Sequence, residues 1–393
     1  MNDTGADWAS SGLAWLTGLS DGPPDHSRSA VLTRADGIAT ELTQLLGIQV
    51  DTAATLTGRA AQLGLHRQGR ISAGGATRLM RTRDGWWALT LSRADDIEAV
   101  PALVEADTVA DDPWPAVEEW AACRRGDDVL DRATLLDLPA ARLGETAPAE
   151  PIVRSDGRPT APRSAEGLLV ADLSSMWAGP LCGQLLATAA ATVVKVESPT
   201  RLDGTRSGDP VFYDWMNHGK LSYAVDFDST SLRALLAAAD VVIEGSRPGV
   251  LARRGASPEA LPGPDGRVWL RITGHGAQSH RVAFGDDAAV AGGLVGISAS
   301  GPVLCADAIA DPLTGLEAAL AVARSLRRGG GETIEIAMAG VAATYAVLPT
   351  GSSLSPIRAV PPRPPRRVAP AAPPGAHNAI VDAIVAQRNS VRC

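Results

Sequence analysis

The sequence predicts an α/β fold, in which a large domain with a doubly wound, Rossmann-like parallel sheet follows a smaller N-terminal α+β domain. Short apolar and β-branched runs alternate with Ala/Leu-rich helical segments between residues 166 and 347, and parallel strands require such helical crossovers. Residues 1–150 are instead rich in tryptophan. Residues 151–165, between the two regions, carry the Pro, Ser, Gly and charged residues that are typical of linkers.

The large domain opens with a βαβ motif. An apolar run at Leu168–Leu173 is followed by the corner Ala178-Gly179-Pro180, a helical segment and the β-branched run Thr192–Val196. Parallel sheets of this kind bind ligands at the carboxyl ends of their strands. The glycines lack the three-glycine spacing of dinucleotide-binding turns, so a nicotinamide or flavin cofactor is not predicted.

The remaining elements follow the same alternation. The pattern predicts strands near 168–173, 192–197, 222–227, 240–244, 268–272 and 333–338. A proline-dense segment then predicts an extended, poorly packed chain, and a short amphipathic helix closes the sequence. The predicted organisation is an N-terminal α+β region 1–150, a linker 151–165, a large α/β domain 166–347, a Pro-rich segment 348–376 and a C-terminal helix within 377–393.

Composition limits the possible functions. The 393 residues suffice for two domains, and a net charge of −8 argues against nucleic acid as the main partner. No apolar run reaches the ~18 residues of a membrane span, and the first residues lack the features of a signal peptide. The four cysteines, Cys123, Cys182, Cys305 and Cys393, show no metal or redox spacing. We therefore expect a cytoplasmic protein with no metal and no membrane partner.

Lysine usage is unusual. Two of the 36 basic residues are lysines, Lys195 and Lys220. One interpretation is chance in an arginine-biased chain. The other is that a compact ammonium group was kept near phosphates or near an acidic partner. The sequence leaves both open.

Six blocks in the second half of the chain carry a resemblance to a known family. They are DLSSMWAGPLCGQLLA with VVKVESP, FYDWMNHGKLSYAVDF, ADVVIEGSRPGVLARRG, RITGHGAQ, AIADPLTG and GGGETIEIAM. In this order they resemble the family III CoA-transferases, which include formyl-CoA and carnitine CoA-transferases and alpha-methylacyl-CoA racemase.

The resemblance implies that Asp311 is the catalytic nucleophile. In the family, the matching aspartate attacks an acyl-CoA thioester to form an acyl-aspartyl anhydride, and it then carries CoA as an aspartyl thioester. A carboxylate suits this role because its anhydride is activated enough to be reopened. From the residues alone, Asp311-Pro312 before a helical run also fits an N-cap followed by proline. Asp307 is the competing candidate for the nucleophile.

The resemblance also implies where CoA binds. Arg and Lys side chains at strand ends, together with helix N-termini, are the groups that hold phosphates. The predicted CoA-contacting residues are Trp177, Lys195, Arg206, Asn217, Lys220, Arg247 and Gly274. For each basic residue the alternative is a solvated surface charge.

The sequence departs from the family at several positions. Val290 stands where the family has a glutamine, and the glycine-rich lid of formyl-CoA transferase has no counterpart. The racemase branch needs a histidine where Gly285 stands, and His275 and His280 are out of register. The first two departures argue against full catalytic competence, and the missing histidine favours acyl transfer over racemisation.

The N-terminal region departs from the family's order. GLAWLTGLSDGPP (12–24) resembles a segment that normally lies just ahead of the catalytic aspartate, and GGATRLMRTRDGWWALTL (74–91) resembles one that normally follows it. Here both precede the large domain. One hypothesis is a rearranged or fused small domain. The alternative is an unrelated α+β domain.

The sequence thus predicts a CoA-transferase that moves CoA between an acyl-CoA and a carboxylic acid. CoA is a substrate in this prediction, no cofactor is needed, and a homodimer is expected. The alternatives are a 2-methylacyl-CoA racemase-like epimerase and a catalytically decayed CoA-binding subunit.

Overall fold

The computed structural model describes residues 4–390. Residues 1–3 and 391–393 lie outside this range, and with them Cys393 and the ends of the predicted N-terminal region and C-terminal helix.

The chain begins with four helices that pack onto the large domain. They are α1 (Thr4–Ser10), α2 (Leu13–Leu16), α3 (Ser29–Leu46) and α4 (Thr52–Leu63). Asp51 caps α4, because its side chain accepts a hydrogen bond from the Ala54 N–H at 2.9 Å. Trp8, Leu13 and Leu42 of these helices are fully buried in one hydrophobic core with strand and helix residues of the large domain. Residues 1–150 therefore do not form the single separate unit that was predicted.

A small antiparallel sheet follows, with its own core. Its elements are β1 (Thr77–Thr82), β2 (Gly85–Thr90), α5 (Ala94–Glu98), α6 (Val100–Val104), α7 (Trp114–Ala122), α8 (Gly126–Leu135) and β3 (Ala140–Arg142). The strands pair in the order β1-β2-β3. Trp87, Trp114 and Trp120 fill the core between this sheet and its helices. The tryptophans of this region therefore serve packing.

The rest of the chain builds the central sheet and its helices. The elements are β4 (Ile152–Ser155), β5 (Leu169–Asp172), α9 (Ala178–Thr188), β6 (Thr192–Glu197), a 3₁₀ helix (Gly204–Ser207), α10 (Pro210–Asn217), β7 (Leu221–Ala224), α11 (Thr230–Ala238), β8 (Val241–Glu244), α12 (Val250–Arg253), β9 (Val268–Thr273), α13 (Gly285–Ala291), β10 (Val295–Ser298), β11 (Gly301–Leu304), α14 (Ala310–Arg328), β12 (Glu332–Ala337), α15 (Met338–Ala346) and α16 (Asn378–Ser390).

The central sheet has seven strands in the order β4-β12-β9-β8-β5-β6-β7. All six predicted strands are present and parallel to their neighbours, and β4 alone runs antiparallel, against β12. Alternate residues of β5 point to opposite faces of the sheet. Val170 packs in the core with residues of α9 and α14, while Leu169 and Ala171 pack in the core on the other face. The predicted α/β fold with a mostly parallel sheet is confirmed.

The topology places a crevice at the carboxyl end of β5. This strand lies between β6 and β8, so the chain continues to opposite sides of it. In open α/β sheets, ligands bind at such a switch point. The loop after β5 leads into α9, and α14 packs along α9.

Two predicted connections differ in the structure. The predicted linker contains β4, whose residues are exposed but complete one sheet edge. The segment 348–376 is extended as expected, yet the expectation of poor packing was wrong. The Ala371 N–H donates to the Asp214 carboxylate at 2.8 Å, the Gly375 N–H donates to the Ser222 hydroxyl at 3.2 Å, and Pro365 lies against Gly58 of α4. Across residues 4–390, none of the helices has the length and apolar character needed to cross a membrane.

Candidate active site

Asp311 lies in the first turn of α14, below the carboxyl end of β5. The helix begins at Ala310, and the residue before it makes no side-chain cap. Asp311 is therefore inside the helix, and its interpretation as the N-cap was wrong. The backbone N–H groups of Ala178 and Gly285, the first residues of α9 and α13, instead act on its carboxylate and lower its pKa. These donors favour the charged form of a carboxylate.

Gly285 packs directly against this carboxylate. A Cβ placed on Gly285 would lie 2.5 Å from Oδ2 of Asp311 and would also overlap the Ala308 carbonyl oxygen. Only glycine can bring the backbone this close. The position therefore has no space for the histidine that a racemase would carry.

Two further aspartates lie beside Asp311. The Asp286 carboxylate accepts hydrogen bonds from the Ala308 N–H at 3.0 Å and from the Thr77 hydroxyl at 3.2 Å. Asp307 is buried, and its Oδ1 lies 2.6 Å from Nη1 of Arg59, while its Oδ2 is buried without a hydrogen-bond partner. Thr77 and Arg59 come from β1 and α4, so N-terminal elements line the site of a residue in α14.

A fourth aspartate fixes the start of α13. The Asp287 carboxylate accepts from the Phe284 N–H at 3.0 Å and from the Thr90 hydroxyl at 2.9 Å. The side chain is fully buried, and its Oδ2 has no partner. Burial raises its pKa to about 7. Asp287 thus anchors the small sheet to the helix that presents Gly285.

The surroundings of Asp311 raise its pKa towards neutral pH. Burial raises its pKa to about 7, the charge of Arg59 acts in the opposite direction, and the charge of Asp286 raises it further. Burial likewise raises the pKa of Asp286 to about 6, with Asp307 adding to the effect. Near neutral pH, Asp311 is therefore divided between a protonated acid and a carboxylate that could act as a nucleophile.

Arg59 is the functional residue that sequence reasoning missed. Its guanidinium pairs with Asp307 and lies near two aromatic rings, with its central carbon 5.8 Å from the centre of Trp177 and 5.6 Å from that of Phe212. No motif marked Arg59, because its partner Asp307 is 248 positions away in the sequence.

The predicted CoA-contacting residues fall into several places. Lys220 is buried, and its Nζ lies 2.9 Å from Asp172 Oδ2 and 3.1 Å from Asn217 Oδ1. Lys195 is buried as well, with Nζ 2.8 Å from Asp203 Oδ2. The sequence left open whether the lysines are present by chance or lie near phosphates or an acidic partner. The structure shows that each lysine has a buried aspartate of the same chain as its partner.

The other predicted contacts are spread more widely. Arg206 binds Glu197 through Nε and one terminal nitrogen at 2.6–3.2 Å. Arg247 is exposed and pairs with Asp137 at 2.7 Å. Trp177 directly precedes Ala178 and is buried, with its indole N–H unpartnered. Gly274 accepts the Ala339 N–H at 3.0 Å through its carbonyl. Trp177 thus adjoins Ala178, whose N–H acts on the Asp311 carboxylate.

The surroundings of His275 and the arrangement of potential metal ligands are both defined by the structure. Both ring nitrogens of His275 are buried without a partner, and burial, followed by the charge of Arg281, lowers its pKa to about 4. This ring is therefore neutral near pH 7. Within the part of the chain that the structure describes, no group of three or more His, Cys, Asp or Glu side chains is arranged to hold a metal ion.

Comparison with known proteins places these residues in a family. The sequence model of the family described as CoA-transferase family III matches residues 166–386. Succinate–glutarate CoA-transferase of Agrobacterium fabrum is 31% identical over 203 residues, covering 44% of this chain and 51% of that protein. Formyl-CoA:oxalate CoA-transferase of Afipia carboxidovorans is 29% identical over 197 residues, covering 45% and 46%.

Solved structures give a similar partial match. A CAIB/BAIF family protein from Brucella suis is 30% identical, with a TM-score of 0.42 over 46% of this chain and 55% of that one. The chain spans about half the length of the curated relatives it matches. The family match nevertheless covers more than half of the 393 residues, including all six parallel strands and Asp311. The chain belongs to CoA-transferase family III.

Proposed function

We propose that the protein moves CoA between an acyl-CoA thioester and a carboxylic acid, with Asp311 as the nucleophile. The observation that carries the proposal is the position of the Asp311 carboxylate, whose Oδ2 packs against the backbone of Gly285 and whose pKa the N–H groups of Ala178 and Gly285 lower. Family membership supports the same assignment. The donors can act on an oxyanion as well as on the resting carboxylate.

The proposed reaction has four steps. The Asp311 carboxylate attacks the thioester carbonyl and the C–S bond breaks. CoA departs as the thiolate, and an acyl-aspartyl anhydride forms. The thiolate then attacks the aspartyl carbonyl, which releases the donor acid and leaves an aspartyl-CoA thioester. The acceptor carboxylate attacks this thioester, its C–S bond breaks, and a second anhydride forms as CoA thiolate is released. The thiolate finally attacks the acceptor's acyl carbon and restores the Asp311 carboxylate.

The proposed CoA contacts remain those predicted from the sequence. Arg206 and Arg247 have guanidinium forks suited to phosphate oxygens, and Trp177 and Gly274 would line the crevice. Lys195, Asn217 and Lys220 would support this crevice from inside the protein. The two ammonium groups already bind carboxylates, and Asn217 already accepts a hydrogen bond from Lys220. A homodimer and a cytoplasmic location belong to the same proposal. Light scattering of the purified protein and cell fractionation test them.

The racemase-like alternative is weaker on a specific contact. A histidine at position 285 would have to displace either Asp311 or the Ala308 backbone. His275 is neutral near pH 7, but nothing in its contacts joins it to Asp311. An acid/base pair across a substrate α-carbon therefore lacks one member.

The deciding experiment is intact mass spectrometry of the protein incubated with a panel of acyl-CoAs and then hydroxylamine. An acyl or CoA adduct, or a hydroxamate at Asp311, would support transfer, provided that D311N and D311A lack it. Failure of every donor to form an adduct, despite measurable CoA binding, would refute the covalent route and leave a decayed CoA-binding subunit. Deuterium uptake at the substrate α-carbon without an adduct would favour the racemase.

A further inference from the structure

We infer that Arg59 is a positioning residue for the reacting carboxylate: its guanidinium, held by Asp307 and two aromatic rings, increases the fraction of Asp311 that is in the ionised form from which it attacks. The catalytic consequence rests on the proposed function, whereas the effect on the charge state of Asp311 does not. Arg59 lies in α4, outside the matched residues 166–386. The N-terminal helices are then part of the active site.

The guanidinium of Arg59 is held in place from two directions. Its Nη1 lies 2.6 Å from Asp307 Oδ1, and Asp307 is 1% exposed. Trp177 and Phe212 approach it within 6 Å, and these two rings are themselves packed edge to face with their centres 5.2 Å apart. Contacts between a guanidinium and aromatic rings strengthen when they are desolvated. The cation is therefore fixed at one location.

That location is the centre of an acidic cluster. Three aspartates act electrostatically on Arg59, in the order Asp307, Asp286 and Asp311. Like charges in a buried site oppose one another's ionisation, while an opposite charge permits it. Arg59 thus offsets the charge of Asp286, which would otherwise favour a neutral Asp311.

The groups that face Asp311 define what a change at Arg59 would do. Arg59 approaches from α4, Asp286 from α13, and the Ala178 and Gly285 N–H groups from the starts of α9 and α13. Asp307, just before α14, pairs with Arg59. The N–H groups favour ionisation, as Arg59 does, while burial and Asp286 oppose it. Loss of Arg59 leaves the opposing influences partly uncompensated, so protonation extends to higher pH.

Arg59→Gln tests the inference, with Arg59→Lys keeping the charge. The first readout is the titration of the Asp311 side-chain carboxyl by ¹³C NMR, assigned by its loss in D311N. An opposite charge at close range moves a carboxyl pKa by roughly 1 to 3. We expect the Asp311 midpoint to rise in R59Q and to stay within a few tenths of the wild type in R59K.

The second readout is the rate of adduct formation across pH. The same change in titration predicts a rate that is roughly 5- to 500-fold lower in R59Q at pH 7, with the deficit shrinking at higher pH. A merely structural role would lower the rate equally at every pH. R324Q is the matched control, because Arg324 loses the same charge from a surface ion pair with Glu41. It should leave both readouts unchanged.

The outcomes separate the two proposals. An unchanged Asp311 midpoint in R59Q overturns the role of Arg59, whatever the enzyme does. A wild-type protein that never forms an adduct overturns the transfer mechanism but leaves the NMR result valid. If R59Q fails to fold because Asp307 is left unpaired, R59Q/D307N removes both charges of the pair and is compared with D307N, which keeps Arg59. A midpoint that is higher in the double variant than in D307N supports the inference, and equal midpoints refute it.

Discussion

Oδ2 of Asp311 lies so close to the backbone of Gly285 that a single added carbon at position 285 would sit 2.5 Å from it. The contact joins the first turns of α13 and α14, and α14 also packs along α9. The glycine N–H lowers the pKa of this carboxylate, and the glycine places no side chain against it. The Asp311 carboxylate and the first turn of α13 are therefore constrained together.

Gly285→Ala should damage both stability and adduct formation. Overpacking in a closed site forces backbone shifts that typically cost ~1–3 kcal/mol, and here the shift must move Asp311 or Ala308. Gly37→Ala is the matched control, because a Cβ on Gly37 in α3 meets nothing within 4 Å. This control should be neutral or stabilising by up to ~1 kcal/mol. Urea unfolding measures both variants, and equal stabilities would contradict the packing argument.

The large domain could be predicted because each of its parallel strands has a recognisable local sequence pattern. Each parallel strand is a short β-branched or apolar run buried on both faces, separated from the next by a helical pattern. β4 escaped prediction for the opposite reason. Ile152–Ser155 is exposed and lies among prolines and charged residues, so only its pairing with β12 makes it a strand.

The site could be predicted only in part. Asp311 was found because it belongs to a motif that resembles those of the family. Arg59 and Thr77 contribute through long-range contacts, with partners 248 and 209 positions away, and no local pattern encodes such contacts. The lysines show a related limit: composition marked Lys195 and Lys220 as unusual, but it could not distinguish a phosphate from a buried carboxylate as their partner.

Lys220→Met should destabilise the protein far more than the loss of a surface charge does. The change leaves Asp172 buried without its cation, and breaking a buried pair in this way costs ~3–5 kcal/mol. Both side chains are 1% exposed or less. K220M/D172N, which removes both charges, should recover part of the loss. R247Q, from the exposed pair with Asp137, should cost under ~1 kcal/mol. Urea unfolding would contradict this prediction if K220M and R247Q were equally stable.

Asp214→Ala should loosen the Pro-rich segment without unfolding the sheet. The Asp214 carboxylate accepts the Ala371 N–H at 2.8 Å, close to the peptide bond after the exposed Arg367. Proteases cut segments that open locally, so the rate of tryptic cleavage after Arg367 should rise in D214A. Arg363 precedes a proline and is a poor site. S355A, which loses only a short hydrogen bond within the same segment, is the control. Unchanged cleavage in D214A would mean that other contacts hold the segment.

Asp287→Asn should gain stability relative to the wild type as pH rises. The folded protein holds the pKa of Asp287 at about 7 through burial, whereas an unfolded aspartate titrates near ~3.9. A carboxyl group whose folded-state pKa is raised contributes full stability below its unfolded pKa and loses that contribution as pH rises through the folded one. The wild type should therefore lose roughly 2–4 kcal/mol of unfolding free energy relative to D287N between pH 4 and 7 and little more above pH 7.

In D287N, the asparagine can still accept the Phe284 N–H and the Thr90 hydroxyl through Oδ1, so the cap on α13 survives. Urea unfolding at pH 4.5, 6 and 8 measures the difference, and a stability difference that stays constant across this range would show that Asp287 titrates alike in the folded and unfolded chains.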